Sequence, residues 1–135
     1  MRITTKSRYA TRMVLDIAMH DREGPVQSRD IARRQNIPLK YLEKLIRELR
    51  KAGLIDSRRG PQGGHVLAKP ATDISVGDIV RIMECPPQYG NCACDDKECH
   101  ECSMAYECLT RGIWVDTSRV MFEKLDSYII SNLLK

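Results

Sequence analysis

At 135 residues the chain fits one domain, or one small domain with an extension that finds its core elsewhere, and two large independent domains are excluded. A single Trp and a single Phe leave the core to Leu, Ile, Val and Met, which favours an α-rich protein. The net charge of +4 hides an asymmetry: residues 1–69 carry 16 Lys or Arg against 7 Asp or Glu, and residues 70–135 carry 6 against 11. A basic front half suits phosphate neutralisation on a nucleic acid, and its plainer reading is a solvated basic face. No stretch approaches membrane-spanning length, and no apolar run follows Arg2, Lys6, Arg8 and Arg12. A cytoplasmic protein with no membrane partner is therefore expected.

In chain order, Ser7 to His20 places Ala10, Met13, Val14, Ile17 and Ala18 on one face of a helix, and Asp21 to Pro25 breaks it. Ser28 is a candidate N-cap for a short helix through Arg34, followed by a tight connection over residues 35–38. From Pro38 the next helix repeats Leu42, Leu45, Ile46, Leu49 and Ala52 until Gly53, leaving Lys40, Tyr41, Lys44, Arg47 and Lys51 outside. Leu54 to Ser57 and His65 to Ala68 read as short strands around the turn Arg58-Arg59-Gly60-Pro61-Gln62-Gly63-Gly64. Helix, turn, helix and basic hairpin together make a winged helix-turn-helix, so the fold class is mainly α with a small β-wing.

Ser75 caps one more short helix carrying Val76, Ile79, Val80 and Met83. Residues 85–108 then show no helical or strand period, and a long helix is expected from Leu109 to about Leu133. Ile113, Val120, Met121, Leu125, Tyr128, Ile129 and Leu133 form its apolar stripe near coiled-coil spacing. This helix either packs back on its own domain or, in the favoured reading, pairs two copies into a homodimer. Two recognition helices would then face DNA about one helical turn apart. The expected division is a DNA-binding domain over 1–84, a cysteine-rich loop over 85–108 and a dimerisation helix over 109–135.

Double-stranded DNA is the expected partner, contacted by Ser28, Lys40, Tyr41, Lys44, Arg47, Arg58 and Arg59. Lys40, Tyr41 and Lys44 lie toward the start of the second helix, where base edges are reached, and Arg47 is placed for phosphate. Gly60, Gly63 and Gly64 let the wing turn sharply, and Arg59 is the preferred minor-groove contact. A solvated hairpin with two charges at its tip is the alternative.

All six cysteines, Cys85, Cys92, Cys94, Cys99, Cys102 and Cys108, fall in one stretch. In a reducing compartment they read as metal ligands or redox thiols rather than disulfides. Cys92-x-Cys94 with Cys99-x2-Cys102 suits tetrahedral zinc, and soft thiolates suit iron-sulfur clusters equally; spacing alone does not choose. No paired acid-base constellation accompanies them, Glu98, Glu101 and Glu107 being simplest as solvating charges, so neither an enzyme nor a small-molecule substrate is expected. A zinc-stabilised protein-interaction module is a further rival.

The opening MRITTKSRYATRMVLDIA, the segment IPLKYLEKLIRELRKAGLIDSRRGPQGGHVLAKPATDISVGDIVRIME and the later CLTRGIW resemble the iron-sulfur-sensing winged-helix regulators typified by IscR and NsrR, across essentially the whole chain. The resemblance implies a dimeric bacterial transcription factor, with a repressor the expected sense, and the family's wing arginine at Arg59. It also implies three cluster cysteines, the last two separated as Cys102 and Cys108 are, with Cys92 the natural first. Arg111 stands where IscR has a histidine ligand and Arg8 where NsrR has an aspartate, and neither can ligate iron in the ordinary way. An extra cysteine, Cys99, is expected to complete a four-thiolate [2Fe-2S] site, with [4Fe-4S] as the alternative. Cys94 and His100 are the other candidates for that position, and Cys85 has no assigned role. Loading, loss or oxidation of the cluster would reorder Cys92 to Cys108 and change how the dimer presents its wings. Zinc, or a thiol switch without metal, is the alternative.

Overall fold

A computed structural model describes residues 3–84, 104 and 107–134. Its helices are α1 (Thr5–Met19), α2 (Ser28–Gln35), α3 (Leu39–Lys51), α4 (Val76–Glu84) and α5 (Arg111–Asp126). Between α3 and α4, β1 (Ile55–Arg58) and β2 (Gly64–Leu67) form an antiparallel hairpin that pairs Ile55 with Leu67 and Ser57 with His65. The mainly helical chain with one small β-wing matches the expected class.

Helix α1 packs against α2, α3, α4 and β2. Its buried face is the expected one, with Ala10, Met13, Val14 and Ile17 excluded from solvent. It begins at Thr5, ahead of the expected Ser7, because its first turn is capped from far away. Glu84 Oε1 accepts from the Thr4 N–H at 2.8 Å, the Thr4 hydroxyl at 2.6 Å and the Ser7 hydroxyl at 2.5 Å. A carboxylate at a helix N-terminus satisfies free donors and meets the positive end of the dipole. Burial works to raise the Glu84 carboxyl, but these donors and Lys6 outweigh it and hold it below the usual range.

The joint between α1 and α2 is a buried charge. Asp16, 2% exposed, accepts from Arg34 at 2.6 and 3.0 Å and from the Gln35 amide at 2.8 Å. Burial pushes its carboxyl up; the hydrogen bonds and charge of Arg34, with Gln35 and His20, more than reverse that. Asn36, in the left-handed region at φ 51°, turns the chain from α2 toward α3. Leu42, Leu45, Ile46 and Leu49 then complete the core.

Other features also differ from the sequence expectation. Ser28 is the first residue of α2 rather than its cap, a place taken by Gln27. Tyr41, expected outside, is half-buried with its ring edge-on to Tyr9 at 6.0 Å. The helix expected to reach Leu133 ends at Asp126, after which the chain folds back on its own domain. There Val76 N–H donates to Tyr128 O and Ile130 N–H to Ile74 O, both at 2.9 Å, and Ile130 is fully buried. Those backbone bonds and the burial of Ile130 favour the return over more helix.

The return is clasped where α5 meets α4. Asp126 takes a bidentate pair from Arg81 at 2.8 and 2.7 Å and a bond from the Ser75 hydroxyl at 3.2 Å, while the Arg81 guanidinium lies 4.4 Å over the Phe122 ring. Gly77 makes room for this, because a Cβ there would collide with the Asp126 carboxylate. Ser75 caps α4 as expected, in a reciprocal box with Asp78 at 3.0 and 2.9 Å.

Asp16→Asn should cost about 3 kcal/mol at pH 7, as breaking a buried pair does. Since the folded carboxyl sits below its unfolded value near 4, its contribution is present above that pH and lost as the pH falls through the folded value. Denaturant unfolding of the two proteins from pH 7 down to pH 3 checks this: the gap between them should narrow only below about pH 4.

Candidate nucleic-acid interface

Helix α3 puts its apolar residues on the core side, so its cations are displayed together. Lys40, Lys44 and Arg47, at steps of four and three, share one exposed face. Glu43 is exposed on the same helix and gives that surface a local acceptor. Tyr41 is displaced from this set by its contact with Tyr9. Arg29 and Arg33 on α2 are also exposed, and Arg33 pairs with Asp30 at 2.9 Å.

β1 packs against α3, which sets the wing beside the helix-turn-helix. Arg58 ends β1, Arg59 begins the turn, and both are exposed. The turn closes through Gly63 N–H to Gly60 O at 2.9 Å. Behind it, Val26 exchanges backbone hydrogen bonds with His65 at 2.9 and 2.8 Å, adding a one-residue third strand. Gly64 permits that approach, since a Cβ there would sit 2.6 Å from Val26 O.

Ser28 does not face outward freely. Its hydroxyl lies 2.8 Å from His65 Nε2, and Ser57 Oγ lies 2.8 Å from Nδ1 of the same ring. Burial, then the charge of Arg50, hold His65 below its usual value, with Glu43 opposing. In the sequence His65 reads only as a strand residue; the available signal was a titratable ring between two glycines and the apolar run Val66 to Ala68.

Of the expected metal ligands, Cys108 alone lies among the described residues; Cys92, Cys99 and Cys102 lie outside them, as do Cys85, Cys94 and His100. Cys108 Sγ is 3.3 Å from Thr110 Oγ1. That hydroxyl, the Thr110 and Arg111 amides and the Arg111 charge draw the thiol below its usual value. A thiolate is the form that binds a soft metal, so the donor chemistry of Cys108 fits a cluster or zinc. Among the described residues no three Cys, His, Asp or Glu side chains converge as a metal site. No helix among them is long and apolar enough to cross a membrane.

The family model described as Rrf2, iron-dependent transcriptional regulator, matches residues 3–135. The chain is 49% identical over 135 residues to the protein rrf2 of Nitratidesulfovibrio vulgaris, covering 100% of this chain and 88% of that one. Its fold is similar to that of IscR from T. potens, with a TM-score of 0.76 and 36% identity over 99% of this chain and 86% of that one. It is similar also to CymR, the global cysteine regulator of B. subtilis, with a TM-score of 0.75 and 32% identity over 99% and 96% of the two chains.

The exposed wing and α3 face predict separable losses on duplex DNA. Arg59→Ala should weaken binding to a duplex selected from a random pool more than binding to unselected DNA. Lys44→Ala should weaken both and reduce the slope of log affinity against log salt by about 1. Fluorescence anisotropy across a salt series measures both; equal losses for Arg59→Ala would make it a phosphate contact.

Proposed function

The chain belongs to the Rrf2 family of iron-dependent transcriptional regulators, and on that premise we propose that it is a DNA-binding repressor whose operator affinity is set by an iron-sulfur cluster in its cysteine-rich segment. The observation that carries the DNA reading is the shared exposure of Lys40, Lys44 and Arg47 on α3 beside a wing presenting Arg58 and Arg59. Residues 1–84 form the DNA-binding domain of this reading, 85–108 its cluster segment and 109–135 its dimerisation segment. Such a regulator acts on cytoplasmic DNA.

Cys92, Cys99, Cys102 and Cys108 would hold the cluster, preferentially [2Fe-2S]. When bound it supplies an electron-accepting centre and a thiolate cross-link. Cys108 lies three residues before Arg111, the first residue of α5, and so ties that segment to the helix. The far end of α5 is clasped to α4 through Asp126 and Arg81, and α4 reaches the first turn of α1 through Glu84. The state of the cysteines is thereby linked, along one covalent and packed route, to the domain that carries α3 and the wing. A regulator needs that link, because a ligand shifts an equilibrium only through differential binding to its two states.

Dimerisation is supported by what α5 leaves uncovered. On α5 Ile113 is 57% exposed, Trp114 49% and Val120 56%, with Leu109 just ahead of the helix 98% exposed, a cost that a second copy of this segment would remove. A second reading, a thiol-redox or zinc-stabilised regulator without a cluster, draws on the lowered Cys108 thiol and on the likeness to CymR, named a cysteine regulator.

Anaerobic purification should give a coloured protein with iron and sulfide, and Cys102→Ala or Cys108→Ala should lose both. A colourless preparation with stoichiometric zinc, or with no metal, overturns the cluster in favour of the second reading. Sedimentation at micromolar concentration should give a dimer, and Ile113→Glu with Val120→Glu should give a monomer with unchanged helix content and at least tenfold weaker operator binding. A monomeric wild-type protein would overturn the role given to α5.

A further inference from the structure

We propose that His65 is a positioning residue of the DNA interface, a lock that fixes the wing against the start of α2 so that the wing arginines and α3 meet DNA as one rigid surface. This rests on the DNA-binding reading and extends it to a residue that is not itself a DNA contact. The wing is a two-stranded hairpin, and such a ribbon has little independent stability. Its orientation must come from what it is tied to.

His65 makes that tie twice over. Its backbone N–H donates to Val26 O at 2.8 Å and its carbonyl accepts from Val26 N–H at 2.9 Å. Its ring then spans the joint, with Nδ1 2.8 Å from Ser57 Oγ on β1 and Nε2 2.8 Å from Ser28 Oγ on α2. A neutral imidazole has one donor and one acceptor nitrogen, and a serine hydroxyl can answer either. The Ser57, His65, Ser28 chain is thus fully satisfied with the ring uncharged. Arg50 and Glu43 on α3 are the charged groups that act on it, with opposite signs.

Ser28 is the first helical residue, one past the N-cap Gln27, and its hydroxyl is directed to His65, 37 residues away in sequence. The link joins the element that carries Arg58 to the helix that precedes the recognition helix.

His65→Phe keeps a planar ring and removes both side-chain bonds; His65→Gln can still reach Ser28. In the free protein, amide exchange at residues 60–65 should rise at least tenfold in His65→Phe and less in His65→Gln, with α1 and α3 amides unchanged. On selected duplex DNA, His65→Phe should bind about tenfold more weakly. Arg59→Ala should then cost far less in the His65→Phe background than in wild type, while Lys44→Ala costs the same in both. A general folding defect would instead raise exchange in α1 and α3 and scale both losses together, and would overturn the proposal. So would unchanged wing exchange, or strictly additive losses for Arg59→Ala, in protein that still binds DNA. If wild-type protein binds no duplex, the DNA reading fails and takes this role with it, an outcome distinct from additivity.

Discussion

A carboxylate shut away from water has to find donors in the fold, and Asp16 finds three on α2. The requirement fixes how α2 lies across α1. Given that angle, Asn36 turns the chain, α3 drops its apolar face onto α1, and the cations of α3 have nowhere to go but outward. The hairpin follows because β1 leaves α3 with its register already set by the buried Ile55. The interface is therefore a by-product of satisfying one charge and one core.

Two carboxylates at opposite ends of α1 act alike. Asp16 holds its C-terminal half to α2, and Glu84 holds its first turn to the end of α4. Both are kept ionised by donors that only the folded state assembles. Helix α1 touches no DNA in the proposed reading, yet it registers the helix-turn-helix, the wing and α4 to one another. It gives Ala10, Met13, Val14 and Ile17 to the core they share.

Where structure was decided locally, the sequence was readable. The α2 to α3 turn, the end of α3, the hairpin and the Ser75 cap each depend on residues within a few positions of one another. The misreadings all involve distant partners. Ser28 has the chemistry of a cap, but its partner is His65; α1 starts early because Glu84 reaches it from 80 residues away. The stripe through Ile129 and Leu133 fits a helix by period, and only the backbone of Ile74 and Val76, waiting to be paired, breaks it. The candidate DNA residues were legible as outward cations, with Tyr41 taken inward by Tyr9, a partner no periodicity reveals. For the cysteines, spacing alone left zinc and cluster equal, since thiolates serve both.

The clasp at Asp126 gives α5 a mechanical character. Sixteen residues at 1.5 Å each make a rod of about 24 Å, pinned at one end by Arg81, Ser75 and the close approach of Gly77. Cys108 lies beyond the other end. A pinned rod is a lever with its pivot on the winged domain, so a tilt of about 5° there displaces the far tip by about 2 Å over that length. In the proposed reading, a rearrangement of that size at the cysteines would reach α4 as torque through Asp126 and Arg81.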